Sequence, residues 1–273
     1  MPVRDNFNSS TNRSSTEQPP TMEVYVDNNA TTRPLPEVRA AMLSALGNEF
    51  GNPSSVHEAG DRARSHLSKS RSQLAELLGC DPKQLLFTSG GTEANTQVLF
   101  SAIAARSTPR LITTTVEHSS IIHLCDYLRT KSVDVVVLPV DEYGLIDIDQ
   151  LRDAIATPTD LLSLQWVNNE TGIIQPIEQI AVLCREQGIP FHTDAAQAVG
   201  KLPLQMAEVP IDYLTLTAHK LHGPQGVGAL YFRNLRTVLP LLFGGDQEHG
   251  LRGGSSEHVA VDAERLEQAL AGL

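Results

Sequence analysis

Residues 161–194 read LLSLQWVNNETGIIQPIEQIAVLCREQGIPFHTD. An apolar run over 161–167 gives way to polar residues, and a helical stretch follows over 176–187 with Ile180, Leu183 and Cys184 on one face. Gly188 stops that helix, and a second apolar run fills 189–193. Strand, helix and strand in this span make a βαβ unit, whose two strands are parallel and joined by a right-handed crossover.

The same alternation extends in both directions. Ala59, Ala63, Leu67, Leu74, Leu77 and Leu78 keep helical spacing, and Gly79 sits where that helix should stop. Gln84 to Phe87 is a short strand-like run, 92–106 a helix, 111–114 a strand and 119–130 a helix. Val133 to Val140 (VDVVVLPV) is rich in β-branched residues and predicts a buried strand. A helix over 148–156 precedes the opening unit, and runs over 213–217 and 227–232 close the series. The expected fold is α/β, a mostly parallel sheet with helices on both faces. No internal repeat is visible.

A chain of 273 residues has room for one sizeable domain, or for a large domain and a fragment of another. The 41% hydrophobic and 19% charged content is ordinary for a globular protein. No apolar run approaches the roughly 18–20 residues of a membrane span. The net charge of -11, without a basic stripe, speaks against nucleic acid as a main partner. Cys80, Cys125 and Cys184 are too widely spaced for a disulfide framework or a metal pair, and suit a reducing, cytoplasmic compartment. Residues 1–21 are mostly Ser, Thr, Asn and Pro and read as a disordered tail. The tail lacks the apolar core of a secretory signal, and Asp5 and Glu17 argue against a transit peptide.

Four polar clusters follow predicted strands: Ser89-Gly90-Gly91-Thr92, Asn168-Asn169-Glu170, Asp194 to Gln197, and Thr217-Ala218-His219-Lys220. Each alone reads as turn chemistry. Together they suggest one site at the carboxyl ends of the strands, where open α/β sheets bind ligands. Gly91 and Thr92 open a helix, whose free N–H groups suit an anion such as phosphate. Lys220 before a Gly/Pro loop suits a Schiff base with an aldehyde cofactor, although most lysines are simply surface residues. Asp194 closes a strand and needs a partner, either a cofactor pyridinium or the start of a helix. His118 reads as a ring-stacking or proton-moving group, or as part of a helix cap. Trp166 reads as a core residue.

Seven stretches complete the pattern. They are Val26 to Thr32 (VDNNATT), Phe50 to Ser55 (FGNPSS), Phe87 to Asn95 (FTSGGTEAN), Glu117-His118, Val167 to Gly172 (VNNETG), His192 to Gly200 (HTDAAQAVG) and His219 to Gly228 (HKLHGPQGVG). In this order and spacing the chain resembles the cysteine desulfurases and selenocysteine lyases, class-V members of the fold-type-I pyridoxal-phosphate enzymes. The resemblance runs across residues 23–255 and implies that residues 22–255 are the large, cofactor-binding domain. It implies Lys220 as the lysine that carries pyridoxal 5'-phosphate and His118 as the ring-stacking acid/base. It further implies Asp194 at the pyridine nitrogen and Gln197 at the phenolic oxygen. Gly91, Thr92, Thr217 and His219 would cradle the phosphate, and Asn169 would touch substrate and cofactor. Leu251 to Ser255 is similar to a family segment whose hydroxyl reaches the neighbouring subunit's phosphate, which implies Ser255 as a cofactor contact in a homodimer.

The implied reaction takes sulfur or selenium from L-cysteine or L-selenocysteine and leaves alanine. A protein acceptor would receive the sulfur, as in iron-sulfur cluster assembly. That chemistry needs a mobile, exposed thiolate. In the family it lies on a loop of a small C-terminal domain, together with an arginine for the substrate carboxylate. Neither is expected in this chain. Cys125 and Cys184 fall on amphipathic helices and read as small buried hydrophobes, and Cys80 lies outside every cofactor motif. Residues 256–273 depart from the family pattern and read as a truncated linker helix, Leu266 and Leu270 lying one turn apart. The alternatives are a non-catalytic cofactor-binding or dimerising remnant, or another class-V reaction such as transamination or β-elimination.

Overall fold

Residues 24–254, apart from 49 and 105, are described in a computed structural model. The elements run α1 (Pro36–Asn48), α2 (Glu58–Leu78), β1 (Leu85–Thr88), α3 (Gly91–Ile103), β2 (Arg110–Thr114), α4 (Ser119–Arg129) and β3 (Asp134–Leu138). They continue with α5 (Ile148–Ile155), β4 (Leu161–Gln165), α6 (Ile177–Gln187), β5 (Phe191–Asp194), β6 (Tyr213–Thr217) and β7 (Gly228–Phe232). The tail over 1–21, Ser255 and the helix expected over 256–273 lie outside the described residues.

All seven strands join one sheet in the order β1-β7-β6-β5-β4-β2-β3. Strands β2 to β6 pair in parallel, and β7 alone runs against its neighbours β1 and β6. The sheet is therefore mixed but mostly parallel. Because β1 and β6 both oppose β7, they point the same way, and the carboxyl ends of β1, β2, β4, β5 and β6 open at one edge.

Alternate strand residues feed two cores. Leu85, Ile112, Leu162, Phe191, Leu214 and Tyr231 pack with Leu74 and Leu78 of α2, Leu151 of α5 and Ile180 of α6. Leu86, Leu111, Leu161, Leu230 and Phe232 pack with Val98 of α3 and Ile121 of α4. Helices thus cover both faces, and Trp166 belongs to the first core.

One expectation needs correction, and one helix was not anticipated. The run 133–140 is shorter as a strand and lies at the sheet edge, with Asp134 exposed and Val135 to Val137 only half-buried. β-branched residues mark a strand, not its place in the sheet. Helix α1 carries no strong apolar periodicity. It buries only Val38 and Ala45, while Leu43 and Leu46 stay 71% and 74% exposed. Before α1, the chain is tied to the loop after β6. Thr32 donates its N–H and its hydroxyl to the His219 carbonyl at 2.8 and 2.9 Å, and Leu35 N–H reaches the His222 carbonyl at 3.1 Å. This strap brings Asp27, Asn29 and Ala30 over the edge where the strands end.

Candidate active site

A cleft of about 550 Å³ opens at that edge. Gly91 and Thr92 line it from the first turn of α3, and Thr217 and His219 from the end of β6. No side chain caps the N-terminus of α3. Its first N–H groups therefore face the cleft without an internal acceptor, beside the Thr92 and Thr217 hydroxyls, as an anion seat requires. Glu93 in the same turn is turned away. Its carboxylate accepts Ser89 N–H at 2.8 Å and Arg252 Nε at 3.0 Å. Burial pushes that carboxyl up, but the bonds from Arg252 and Ser89 outweigh burial and hold it below the usual range.

Asp194, at the end of β5, is 7% exposed. Its Oδ1 accepts Ala196 N–H at 3.0 Å and its Oδ2 accepts Asn95 Nδ2 at 2.8 Å. It caps the turn that follows β5, where no helix forms, and is a buried acid on the cleft wall. Beneath it, His192 lies between Ser163 Oγ (2.8 Å) and Thr215 Oγ1 (3.1 Å) in a fully buried row across β4, β5 and β6. Burial pushes that imidazole down to about 3, so it is neutral.

His118 caps α4, its Nδ1 accepting Ser120 N–H at 3.1 Å, and its ring lines the cleft. The neutral ring therefore carries its proton on Nε2. Ser120 Oγ lies 2.8 Å from the same Nδ1 and accepts Asn95 Nδ2 at 2.9 Å, so a hydrogen-bonded chain joins His118 to Asp194.

Lys220 follows β6 on a short 3-10 turn and points its Nζ at the Asn29 and Ala30 carbonyls of the strap, the latter at 2.8 Å. Burial pushes this amine down, while Asp194 and Asp27 pull it back up. Burial also lowers His219, with Lys220 and His118 adding to the effect. Gln197 bridges the strap as well. Its Nε2 donates to the Asn29 carbonyl at 3.1 Å, and its Oε1 accepts Lys201 Nζ at 2.6 Å. An ammonium only donates, so the amide of Gln197 is held with its NH2 toward the strap and cleft.

Every expected site residue that is described lies on this one cleft: Gly91, Thr92, His118, Asn169, Asp194, Gln197, Thr217, His219 and Lys220. Asn95, Gln165, Asp27 and Asn29 join them without having been singled out. The cleft matches the shape of demand made by pyridoxal phosphate: an anion seat, a buried carboxylate and a primary amine of lowered basicity around one cavity. No cysteine lines it. Burial pushes the thiols of Cys80 and Cys184 up to about 12 and that of Cys125 to about 11. Cys80 is half-buried against the first core rather than exposed. Among the described residues no cluster could hold a metal, and no helix is long and apolar enough to cross a membrane.

Comparison with known proteins agrees with this geometry. A cysteine desulfurase of Cereibacter sphaeroides is 48% identical over 235 residues, covering 85% of this chain and 61% of that protein. Cysteine desulfurase NifS of Azotobacter vinelandii is 43% identical over 241 residues, covering 88% of this chain and 60% of that protein. The chain thus spans about three fifths of the length of these curated relatives. Among solved structures, a NifS-like protein superposes with a TM-score of 0.86 at 35% identity, covering 92% of this chain and 70% of the other. SspA in complex with cysteine gives 0.84 at 36% identity, covering 90% and 72%. The aminotransferase class-V model matches residues 24–259, and the chain belongs to that family of pyridoxal-phosphate-dependent proteins.

Proposed function

We propose that residues 22–255 form the cofactor domain of a pyridoxal-phosphate-dependent cysteine desulfurase, and that residues 256–273 lead toward a second, smaller domain. The observation that carries this reading is the convergence of the Lys220 amine, the Asp194 carboxylate and the uncapped start of α3 on one cleft. Gly91, Thr92, Thr217 and His219 would hold the phosphate, and Gln197 and Asn169 the ring oxygen side. Asp194 would keep the ring nitrogen protonated. When bound, the cofactor supplies an electron sink for the bonds at the substrate's α-carbon.

The chain's own groups then have distinct tasks. Lys220 would hold the cofactor, and its lowered basicity favours the free amine that attachment needs. His118 would stack on the ring and move a proton at Nε2, its Nδ1 being held by Ser120. The Asn29 and Ala30 carbonyls of the strap accept from the Lys220 amine and hold it at the cleft. The substrate would be L-cysteine or L-selenocysteine, the product alanine, and the sulfur would pass to an acceptor protein. A homodimer would place Ser255 at the neighbouring site. Three unpaired cysteines support a cytoplasmic setting.

A second reading has its own support. None of the three thiols is placed or ionised as a nucleophile, which favours a module that binds cofactor and relies on a thiol supplied from elsewhere. One preparation tests both. Freed of unbound pyridoxal phosphate by gel filtration, the loaded wild-type protein should stay yellow, and Lys220→Ala should lose that absorbance. A wild type that stays colourless overturns the cofactor reading. Release of alanine from L-cysteine by the coloured protein decides for a self-sufficient desulfurase over the module.

A further inference from the structure

We infer that Asn95 is a positioning residue, which sets the Asp194 carboxylate for the cofactor's ring nitrogen. This deepens the reading of the cleft as a pyridoxal phosphate site and rests on it.

Asn95 sits on α3, one turn beyond the anion seat, and is 1% exposed. Its NH2 group donates twice, to Asp194 Oδ2 at 2.8 Å and to Ser120 Oγ at 2.9 Å. Its Oδ1 is buried and has no hydrogen-bond partner. Turning the amide over would set that oxygen against the carboxylate, so the orientation is dictated by Asp194. An amide that leaves its oxygen unmatched in the interior is a poor choice for packing alone, since leucine would fill similar space without an orphan acceptor. What the fold gains is a fixed donor against a carboxylate 99 positions away. With Ala196 N–H on Oδ1 and Asn95 on Oδ2, both oxygens are anchored from the protein side. Each keeps a lone pair for the cleft. The Ser120 hydroxyl accepts the second hydrogen of the same amide and so fixes its rotation against Asp194.

The test is the affinity of the apoprotein for pyridoxal phosphate and for its 1-deaza analogue, which has carbon in place of the ring nitrogen. Asn95→Ala should weaken pyridoxal phosphate about tenfold, as expected for losing a hydrogen bond to a charged group. It should change affinity for the analogue by no more than about twofold, because Asp194 has no nitrogen to meet there. In an Asp194→Ala background, Asn95→Ala should add no further loss. Asn95→Ser, which keeps one donor, should recover part of the affinity and makes the same comparison if the alanine variant is unstable. Equal losses for both ligands, or additive losses with Asp194→Ala, would mean a merely structural role and overturn the inference. Ser120→Ala keeps the Asn95–Asp194 bond and should weaken pyridoxal phosphate by less than Asn95→Ala does. A fall matching that of Asn95→Ala would show that Asn95 works through Ser120 instead. Wild-type protein with no Lys220-dependent uptake of pyridoxal phosphate sinks the site itself, an outcome distinct from a variant that binds both ligands normally.

Discussion

Glu117 shows how much a single buried charge determines beside the cleft. Its Oε1 accepts Thr114 Oγ1 at 2.6 Å and its Oε2 accepts the Gln165 N–H at 2.8 Å, so it pins the loop carrying His118 to the end of β4. Burial pushes its carboxyl up to about 8 against those two bonds, and Asp194 adds to the rise. The unfolded chain releases this proton near 4.5, so the folded state holds more protons between about 4.5 and 8. Stability from this group is present at low pH and is lost as pH rises through that window. Glu117→Gln keeps the shape without the charge. From pH 5 to pH 8.5 it should gain on wild type by on the order of 3 kcal/mol in denaturant unfolding. A variant that instead loses ground as pH rises would contradict this. Lys220, Asp194 and Gly91 were legible because a polar residue after an apolar run stands out along the chain. Glu117 and Asn95 were not assigned roles, because their partners Gln165 and Asp194 are 48 and 99 positions away, across the sheet.

The start of α3 depends on its neighbour strand as well as on Gly90, whose φ of 152° few other residues adopt. A methyl group at Gly228 in β7 would lie 2.7 Å from the Gly90 backbone and 2.8 Å from the Leu216 carbonyl. Those are main-chain atoms that cannot step aside. At Gly91 the same methyl meets only Thr215 Cγ2 at 3.5 Å and Thr217 Cβ at 3.9 Å, ordinary contact. Gly228→Ala should therefore cost about 1–3 kcal/mol in unfolding experiments and displace the anion seat. Gly91→Ala should change stability by no more than about 0.5 kcal/mol and keep the N–H groups that face the cleft. Equal effects from both would refute this account of the packing. Helices with a clear apolar face and a stop signal were readable as elements. Gly79 and Gly188 end α2 and α6 in left-handed conformations at φ 63° and 68°, as the sequence implied. Helix α1 escaped because it buries one narrow stripe, and β3 was misplaced because strand order is settled by pairing that no local pattern encodes.

Across the whole molecule the three thiols lie away from the cleft, in or against the two cores. Cys184 of α6 and Cys125 of α4 sit in the cores on opposite faces of the sheet, and Cys80 packs against the first core just after α2. The cleft lies at the carboxyl ends of the strands and includes none of them. With thiols raised to about 11 or 12, only about one in a thousand would be thiolate at pH 8, even for the least shifted. On the proposed function, cofactor binding would therefore not depend on any of the three thiols. In the folded protein at pH 8, a disulfide reagent such as Ellman's should modify none of the three cysteines within minutes, and all three once the chain is unfolded. Replacing all three by serine should leave the Lys220-dependent absorbance with pyridoxal phosphate in place. A thiol that reacts at once in the native state, and whose replacement abolishes alanine formation from L-cysteine, would put the nucleophile inside this domain and overturn that reading.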